Sequence, residues 1–282
     1  MGSSTLSISP TDLIRLIGGA DAPTIVDVRR RPAYDADDRV LPAAVWRDLQ
    51  AVDGWRSGLP AGMPVVVYCV HGHQISQATT SRLHLAGVNA RYLDGGIDAW
   101  RAAGGPLVAR RPDWCDPASE RPSRWVTRER PKIDRIACPW FIRRFVDRRA
   151  EIHYVGAEWV RDAAVELAAV PFDVPGVELT HIGATCSFDT LVAAYGVADP
   201  ALLRVADIVR GADTARLDLA PEAAGLLALS LGVSAATVDD QDALGWGLRL
   251  YDALYAWARF AAEETHNWPA SKTATKTAGV AR

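Results

Sequence analysis

The residues best suited to chemistry follow one short apolar run. The stretch Val65–Tyr68 is typical of a buried strand, Cys69 follows it directly, and a helical pattern begins at Ile75. Open α/β sheets bind ligands at the carboxyl ends of their strands, where loop amides and a helix N-terminus favour negative charge. Such surroundings lower the pKa of a thiol from about 8.5 toward neutrality. The pattern predicts that Cys69 is a nucleophilic thiolate, and that the same amides stabilise a sulfane sulfur attached to it.

A short loop with two histidines follows this cysteine. It consists of Val70, His71, Gly72, His73 and Gln74. The two imidazoles add partial positive charge that would attract an anionic sulfur donor such as thiosulfate. A core cysteine at a strand end is the structural alternative, because free cysteine is often buried. The loop and its histidines favour the reactive cysteine.

Strand-like and helix-like stretches alternate through the first hundred residues. Apolar runs typical of strands lie at 24–28, 65–68 and 88–93. Apolar residues at helical spacing lie at 10–17 and 75–86, and Gly95-Gly96 opens a further short helix that ends near Gly104-Gly105. The alternation predicts an α/β domain with a parallel sheet covered on both faces.

A polar, proline-rich stretch then leads into a part that is mainly helical. Helices are predicted at 140–146, 157–169, 188–195, 201–210, 221–231 and 238–262, and short strands at 125–127, 152–155 and 177–180. We therefore expect an α/β domain over 6–108, a linker over 109–123, a mainly helical domain with a few short strands over 124–264, and a disordered tail over 265–282.

Residues 8–108 resemble the rhodanese homology domain along nearly their whole length. The resemblance is carried by Ile25-Val26-Asp27-Val28-Arg29, Val66-Val67-Tyr68-Cys69 and Leu93-Asp94-Gly95-Gly96-Ile97-Asp98-Ala99-Trp100. It implies a rhodanese-like parallel sheet, a six-residue loop from Cys69 to Gln74, and sulfur carried on Cys69 as a persulfide, with no cofactor required. It also implies that Asp27 and Arg29 line or brace the site, although Asp27 is equally suited to forming a turn at the strand end.

The end of the loop departs from that family. Many single-domain relatives end the loop in arginine, where this chain has Gln74. Arginine binds an anion bidentately, whereas glutamine offers only neutral hydrogen bonds, so thiosulfate as the physiological donor is left open. Phosphatase chemistry is disfavoured, because the related phosphatase-like and arsenate-reductase-like loops are one residue longer and need a closing arginine.

Residues 125–257 resemble the C-terminal domain of the chromate-resistance protein family. The motifs that carry the resemblance are Lys132-Ile133-Asp134-Arg135-Ile136-Ala137-Cys138-Pro139-Trp140-Phe141-Ile142-Arg143-Arg144-Phe145, His181-Ile182-Gly183-Ala184-Thr185-Cys186-Ser187-Phe188-Asp189-Thr190 and Ile208-Val209-Arg210-Gly211-Ala212-Asp213. The resemblance implies a role connected with chromate or oxidative metal stress, and little about mechanism.

Basic residues near the start of this part would attract an oxyanion. Lys132 and Arg135, together with Arg143 and Arg144, surround an expected helix start and its solvent face. A helix N-terminus and clustered arginines suit chromate or sulfate, and a solvated helix face is the alternative.

A second group of residues would bind a metal ion. The candidate ligands are His181, Cys186, Asp189 and Asp213, a mixed set that suits zinc or iron. Alternatively, Asp189 caps the helix that begins near Phe188, beside a histidine of the core.

The two remaining cysteines have open roles. Cys138 precedes Pro139 and lies either near a helix N-cap, where a thiolate is favoured, or in the core. Cys115, in the expected linker, either exchanges sulfur with Cys69 or has no chemical role.

Composition excludes several function classes. Net charge is −3, from 31 basic and 34 acidic residues, which argues against nucleic-acid and membrane-surface partners. No apolar run approaches the roughly 20 residues that a membrane-spanning helix needs, and the first ten residues lack the pattern of a signal peptide. The four cysteines form no CxxC pair, which favours reduced thiols. We expect a cytoplasmic protein.

The leading functional hypothesis is an enzyme. We expect ping-pong sulfur transfer through Cys69, from a small sulfur donor to a thiol acceptor, coupled to a C-terminal domain that handles chromate or a metal ion. One alternative is a metal or oxyanion sensor whose rhodanese module does not turn over. Another is a metal-dependent reductase or superoxide-handling enzyme in the second domain. Tyr251, Leu254, Tyr255 and Ala258 form an apolar stripe that predicts a core face or a seam between two copies of the chain.

Overall fold

The computed structural model describes residues 6–265, so the predicted disordered tail lies outside the described residues except for its first residue. The strands are β1 Ser7–Ile8, β2 Thr24–Asp27, β3 Arg39–Val40, β4 Val45–Trp46, β5 Val65–Tyr68, β6 Ala90–Leu93, β7 Val108–Ala109, β8 Arg124–Arg128, β9 Glu151–Val155 and β10 Val170–Pro171. The α-helices are α1 Pro10–Leu16, α2 Arg31–Asp35, α3 Val52–Trp55, α4 Gln74–Leu85, α5 Gly96–Ala102, α6 Ile133–Phe141, α7 Val160–Glu166, α8 Ser187–Ala194, α9 Pro200–Asp213, α10 Ala223–Ala236 and α11 Asp240–Phe260.

The first domain is built on a five-stranded sheet with the order β1-β6-β5-β2-β4, in which every pair of strands is parallel. Alternate residues of β5 enter two different apolar clusters, with Val66 and Tyr68 in one and Val65 and Val67 in the other. Both faces of the strand are therefore buried, which explains its unbroken apolar sequence. The predicted α/β class is confirmed.

The second domain combines a small sheet with a larger set of helices, as predicted. The sheet has the order β10-β8-β9, and its pairs are parallel. One face packs against α7 through Val126 and Val160, and the other joins the main core through Trp125. That core is centred on Trp140, whose ring contacts four other aromatic rings, those of Phe145, Phe188, Tyr251 and Tyr255. The apolar stripe of α11 therefore supplies a core face.

The strand predicted at 177–180 does not form. Leu179 makes one isolated bridge to Phe172, and the third strand of the sheet is Val170–Pro171 instead. The intervening chain turns at Gly176, where φ is +78°, and this turn brings Leu179 back beside Phe172 for a single residue pair.

Helix α6 begins at Ile133 rather than at the predicted residue 140, and Pro139 lies inside it. Proline has no N–H, so the carbonyl four residues earlier, that of Arg135, loses its usual helical donor. The Tyr154 hydroxyl on β9 donates a hydrogen bond of 3.0 Å to this carbonyl. A long-range contact thus compensates for the proline, and no local pattern could reveal it.

Tyr154→Phe is expected to lower the free energy of unfolding by about 1 kcal/mol, because the Arg135 carbonyl loses its donor. Urea denaturation measures the effect. In the Pro139→Ala background the cost should shrink, because a backbone N–H is restored opposite that carbonyl. An equal cost in both backgrounds would contradict this explanation.

The two domains share one apolar core. A single cluster of buried residues runs from the first sheet, through α1 and α5, into the helices of the second domain. The Ala43 amide donates to the Phe145 carbonyl at 2.7 Å, and Arg259 donates to the Ile17 carbonyl at 3.0 Å. Because the shared interface is apolar and hydrogen-bonded, the domains form one packed unit.

The segment 109–123, predicted as a linker, is packed against both domains. Trp46 donates its amide proton to the Pro117 carbonyl at 2.9 Å, and the Cys115 side chain is buried. Within residues 6–265, the helices are all too short or too polar to cross a membrane.

Candidate functional site

Cys69 lies at the carboxyl end of β5, a central strand of the first sheet, and α4 begins five residues later at Gln74. The loop between them is anchored by the first turn of α5. The amide of Ile97 donates to the Cys69 carbonyl at 3.0 Å, and the amide of Asp98 donates to the Val70 carbonyl at 3.2 Å. The loop therefore presents its carbonyl groups to α5.

Two glycines permit this close approach. Gly72 and Gly96 have φ values of +68° and +61°, which L side chains rarely adopt. A Cβ atom on Gly96 would overlap the carbonyl oxygens of Cys69 and Val70, and one on Gly72 would overlap the backbone of Gly95. The Gly95-Gly96 pair therefore allows the start of α5 to approach the cysteine loop closely enough for these hydrogen bonds.

The loop amides remain available to a ligand. Within residues 6–265, the N–H groups from Val70 to His73 donate no hydrogen bond to the protein. Cys69, 5% exposed, lines a cleft of about 630 Å³ together with His71, His73 and Gln74. Amide donors that lack a protein acceptor, in the loop that directly follows the cysteine, suit a thiolate, a persulfide or an anionic donor.

Ser76 is a neighbour of the sulfur that the sequence analysis missed. Its buried Oγ lies 3.2 Å from Cys69 Sγ and donates to the His73 carbonyl. The side-chain amide of Gln77 donates to the Gly72 carbonyl at 3.1 Å, which fixes the loop from the side of α4.

A buried ion-pair network braces the strand ends beneath the cleft. Arg29 donates to both carboxylate oxygens of Asp27, and the Tyr68 hydroxyl donates to the same carboxylate at 2.7 Å. Arg29 also donates to Asp37 at 2.6 Å. Burial raises the pKa of Asp27, and the hydrogen bonds from Arg29 oppose that rise. Since Tyr68 immediately precedes Cys69, the network positions the start of the cysteine loop.

One arginine beside the cleft has no hydrogen-bond or ion-pair partner among residues 6–265. Arg30 lines the same cleft as Cys69, and its guanidinium makes no ion pair or hydrogen bond within the described part of the chain. The adjacent Arg31, by contrast, pairs with Asp35 at 2.8 Å. Arg30 is therefore a free cation near the place where the loop lacks its closing arginine.

The three other cysteines are unsuited to nucleophilic chemistry. Burial raises the pKa of Cys115 to about 12, and it also raises the pKa values of Cys138 and Cys186 well above the ordinary value of a thiol. Cys138 lies inside α6, so its predicted place near a helix N-cap is wrong, and the core alternative is correct. Cys115 is buried, and its backbone forms a bridge with Arg111. It therefore cannot serve as the mobile thiol that would exchange sulfur with Cys69.

The predicted anion-binding arginines are dispersed. Arg135 lies 3.4 Å from Asp173, Arg144 pairs with Asp252 at 2.8 Å, and Arg143 donates to a backbone carbonyl. Lys132 is the N-cap residue of α6, and its side chain makes no capping hydrogen bond. These four side chains do not converge on one anion site.

A second constellation gathers acidic groups around one imidazole. The Nε2 atom of His181 lies 3.2 Å from Asp213, 3.4 Å from Asp134 and 3.5 Å from Asp173. The carboxylate of Asp134, followed by those of Asp213 and Asp173, raises the pKa of His181 to about 9. Burial raises the pKa of Asp213 to about 7.

This cluster differs from the metal ligands predicted from the sequence. It includes His181 and Asp213, and it adds Asp134 and Asp173, which were missed. Cys186 is the buried N-cap residue of α8. Asp189 accepts a hydrogen bond from the Cys186 amide and another from Arg210, so it caps that helix as the alternative proposed.

A cysteine that opens a short amide-lined loop between a parallel strand and a helix defines the first domain as rhodanese-like. Residues 9–103 match the family model of the rhodanese-like domain, and residues 125–258 match that of the ChrB C-terminal domain. The chain thus joins a rhodanese-like domain to a ChrB C-terminal domain, which confirms both resemblances seen in the sequence.

A known relative agrees with this assignment. The chain is 33% identical to Protein ChrB of Cupriavidus metallidurans over 167 residues, which are 58% of this chain and 50% of that protein. It therefore spans about half the length of this relative.

Two solved structures resemble part of the chain. A rhodanese-related protein from Thermoplasma volcanium is 25% identical, with a TM-score of 0.33, over 37% of this chain and 98% of its own. A thiosulfate sulfurtransferase from Pseudomonas aeruginosa is 27% identical, with a TM-score of 0.32, over 36% of this chain and 19% of its own.

Proposed function

We propose that this protein is a sulfurtransferase that carries sulfur as a persulfide on Cys69. The observation that supports the proposal best is the loop after Cys69, whose amides have no acceptor among the described residues, together with the open cleft that the Cys69 side chain lines. These donors stabilise negative charge on a thiolate and on the terminal sulfur of a persulfide. Among the described residues of the first domain, Cys69 is the only cysteine.

The proposed reaction has two halves. The Cys69 thiolate attacks the outer sulfur of thiosulfate, a new S–S bond forms, and the old S–S bond breaks so that sulfite leaves with its electron pair. An acceptor nucleophile, a thiolate or cyanide, then attacks the outer sulfur of the persulfide and releases the Cys69 thiolate. Each half is a displacement at sulfur, so no external oxidant or reductant is consumed.

The second domain gives this activity its proposed setting. We infer from its ChrB-type sequence that the protein acts where chromate or oxidative metal stress damages thiols. A small sulfur donor and a thiol acceptor are the proposed reaction partners.

The proposal is tested by mass spectrometry of the intact protein after incubation with thiosulfate. We expect one added sulfur atom on the wild type, none on Cys69→Ser, and one on Cys115→Ser, whose thiol is buried away from the cleft. Cyanide should remove the added sulfur and release thiocyanate. Equal sulfur uptake by Cys69→Ser would rule out the assigned nucleophile.

Arg30→Gln is expected to lower kcat/KM for thiosulfate about tenfold, because a charge-assisted contact with an anion contributes roughly 1.5–3 kcal/mol and Arg30 is partly solvated. The loss should fall mainly on KM, measured by steady-state thiocyanate formation. Arg31→Gln is the matched control, since Arg31 is already paired with Asp35, and it should leave kcat/KM unchanged. Equal effects of the two substitutions would contradict a specific role for Arg30.

A further inference from the structure

We infer that the ChrB C-terminal domain binds a divalent metal ion between Asp134, Asp173, Asp213 and His181. This site is separate from Cys69 and is independent of sulfur transfer. Its ligand set differs from the one suggested by the sequence, because neither Cys186 nor Asp189 takes part.

The topology of the second sheet places two of the ligands at a natural binding position. Strand β8 lies in the middle of the sheet, and β9, the next strand in the sequence, pairs with one of its edges. The chain then crosses over, so that β10 pairs with the other edge of β8. The connecting helices α6 and α7 pack on opposite faces. Such a reversal opens a crevice beyond the carboxyl ends of the two adjacent strands, here β8 and β10. Asp134 follows β8 in the first turn of α6, and Asp173 follows β10 by two residues.

One carboxylate oxygen of the cluster is buried without a hydrogen-bond partner among the described residues. Asp134 is 2% exposed, and its Oδ2 accepts a hydrogen bond from the Ser187 amide at 2.7 Å. Its Oδ1 is buried and has no hydrogen-bond partner among the described residues. An unpaired buried carboxylate oxygen is costly, and a bound cation removes that cost.

The distances also suit coordination better than hydrogen bonding. A charge-assisted N–H···O bond is about 2.7–2.9 Å long, yet His181 Nε2 stands 3.2–3.5 Å from three different carboxylates. One ring nitrogen cannot donate to three acceptors. Ligands at right angles around an ion with bonds of about 2.1 Å are about 3 Å apart, which is close to the separations found here.

The chemistry of the donors indicates the class of ion. Three carboxylates and one imidazole form an oxygen-rich set that suits Mn²⁺ or Fe²⁺ rather than a thiolate-bound zinc. Arg128 and Arg135 lie close to the other carboxylate oxygen of Asp173. Their positive charges offset part of the negative charge of the three carboxylates. His181 is 42% exposed at its side chain, which leaves a route by which an ion enters.

Mn²⁺ binding to the full-length protein tests the inference. After treatment with a chelator, the protein is titrated with Mn²⁺ while electron paramagnetic resonance reports the free ion. We expect saturable binding of one ion per chain, weakened at least about 100-fold by Asp134→Asn and by Asp213→Asn. Asp218→Asn is the matched control, because Asp218 is exposed and pairs with Arg216 rather than with His181.

His181→Ala tests whether weaker Mn²⁺ binding reflects loss of a ligand rather than loss of folding. The ring is half-exposed, so its removal should leave the core intact. It should weaken Mn²⁺ binding while the circular dichroism spectrum stays that of the wild type. Absence of saturable binding by the wild type would overturn the inference and leave His181 as an imidazolium held by three carboxylates. Equal Mn²⁺ affinity in Asp213→Asn, His181→Ala and wild type would overturn it as well.

Discussion

Replacing Arg29 with methionine is expected to lower the free energy of unfolding by about 3–5 kcal/mol, because removal of one partner leaves a buried charge uncompensated. Asp27 is completely buried and depends on Arg29 for its ionic hydrogen bonds. Methionine keeps much of the arginine volume, so the loss reports the charge rather than a cavity. Urea denaturation followed by tryptophan fluorescence provides the measurement.

Arg31→Met is the control for this prediction. It removes an arginine two residues along the chain whose ion pair with Asp35 is exposed, so little change in stability is expected. Equal losses for the two variants would mean that the buried network does not brace the strand ends. A double variant, Asp27→Asn with Arg29→Met, should recover part of the loss, because the uncompensated carboxylate is then removed.

Gly96→Ala is expected to reduce sulfur transfer about 100-fold, because a displacement of the reactive group by about 1 Å has an effect of that size. The new methyl group would overlap the carbonyl oxygens of Cys69 and Val70. The loop that carries the thiol must therefore shift away from α5. Steady-state thiocyanate formation measures the loss, and it should appear mainly in kcat.

Gly104→Ala separates the overlap from backbone strain. Gly104 has φ +74°, similar to Gly96, but a Cβ atom there meets nothing within 4 Å. It should cost about 1–2 kcal/mol of stability from the left-handed conformation and leave kcat unchanged. A comparable loss of kcat in both variants would show that strain, not contact with the loop, is responsible.

The first domain was largely predictable because its signals are local. An apolar strand, a cysteine, a glycine loop and a helix follow one another without interruption, and the structure contains them in that order. Asp27 and Arg29 were recognised through a family motif. Their pairing with Tyr68 and Asp37 was not, because it joins residues from different elements.

Arg30 was missed for a related reason. In the sequence it is one of three consecutive arginines, Arg29, Arg30 and Arg31, with nothing to distinguish them. Only the fold buries the first, pairs the third at the surface and leaves the second beside the cleft.

The second domain was less predictable because its key contacts are long-range. In the sequence, Asp134 is one residue of a basic motif, and nothing local indicates its contact with His181, because that contact depends on the crossover between β9 and β10. Pro139 suggested a helix boundary by ordinary rules. The rule failed because Tyr154, from a neighbouring strand, supplies the missing hydrogen bond.

The packed segment between the domains fixes how the Cys69 cleft and the acidic cluster lie relative to each other. Because the segment 109–123 is tied down and the cores are continuous, the cleft of Cys69 and the acidic cluster keep a constant separation. Neither can swing to meet the other as a tethered carrier domain does. Under the proposed sulfur transfer, a sulfur atom on Cys69 is therefore expected to leave the cleft only through solvent or by transfer to an acceptor molecule that docks there.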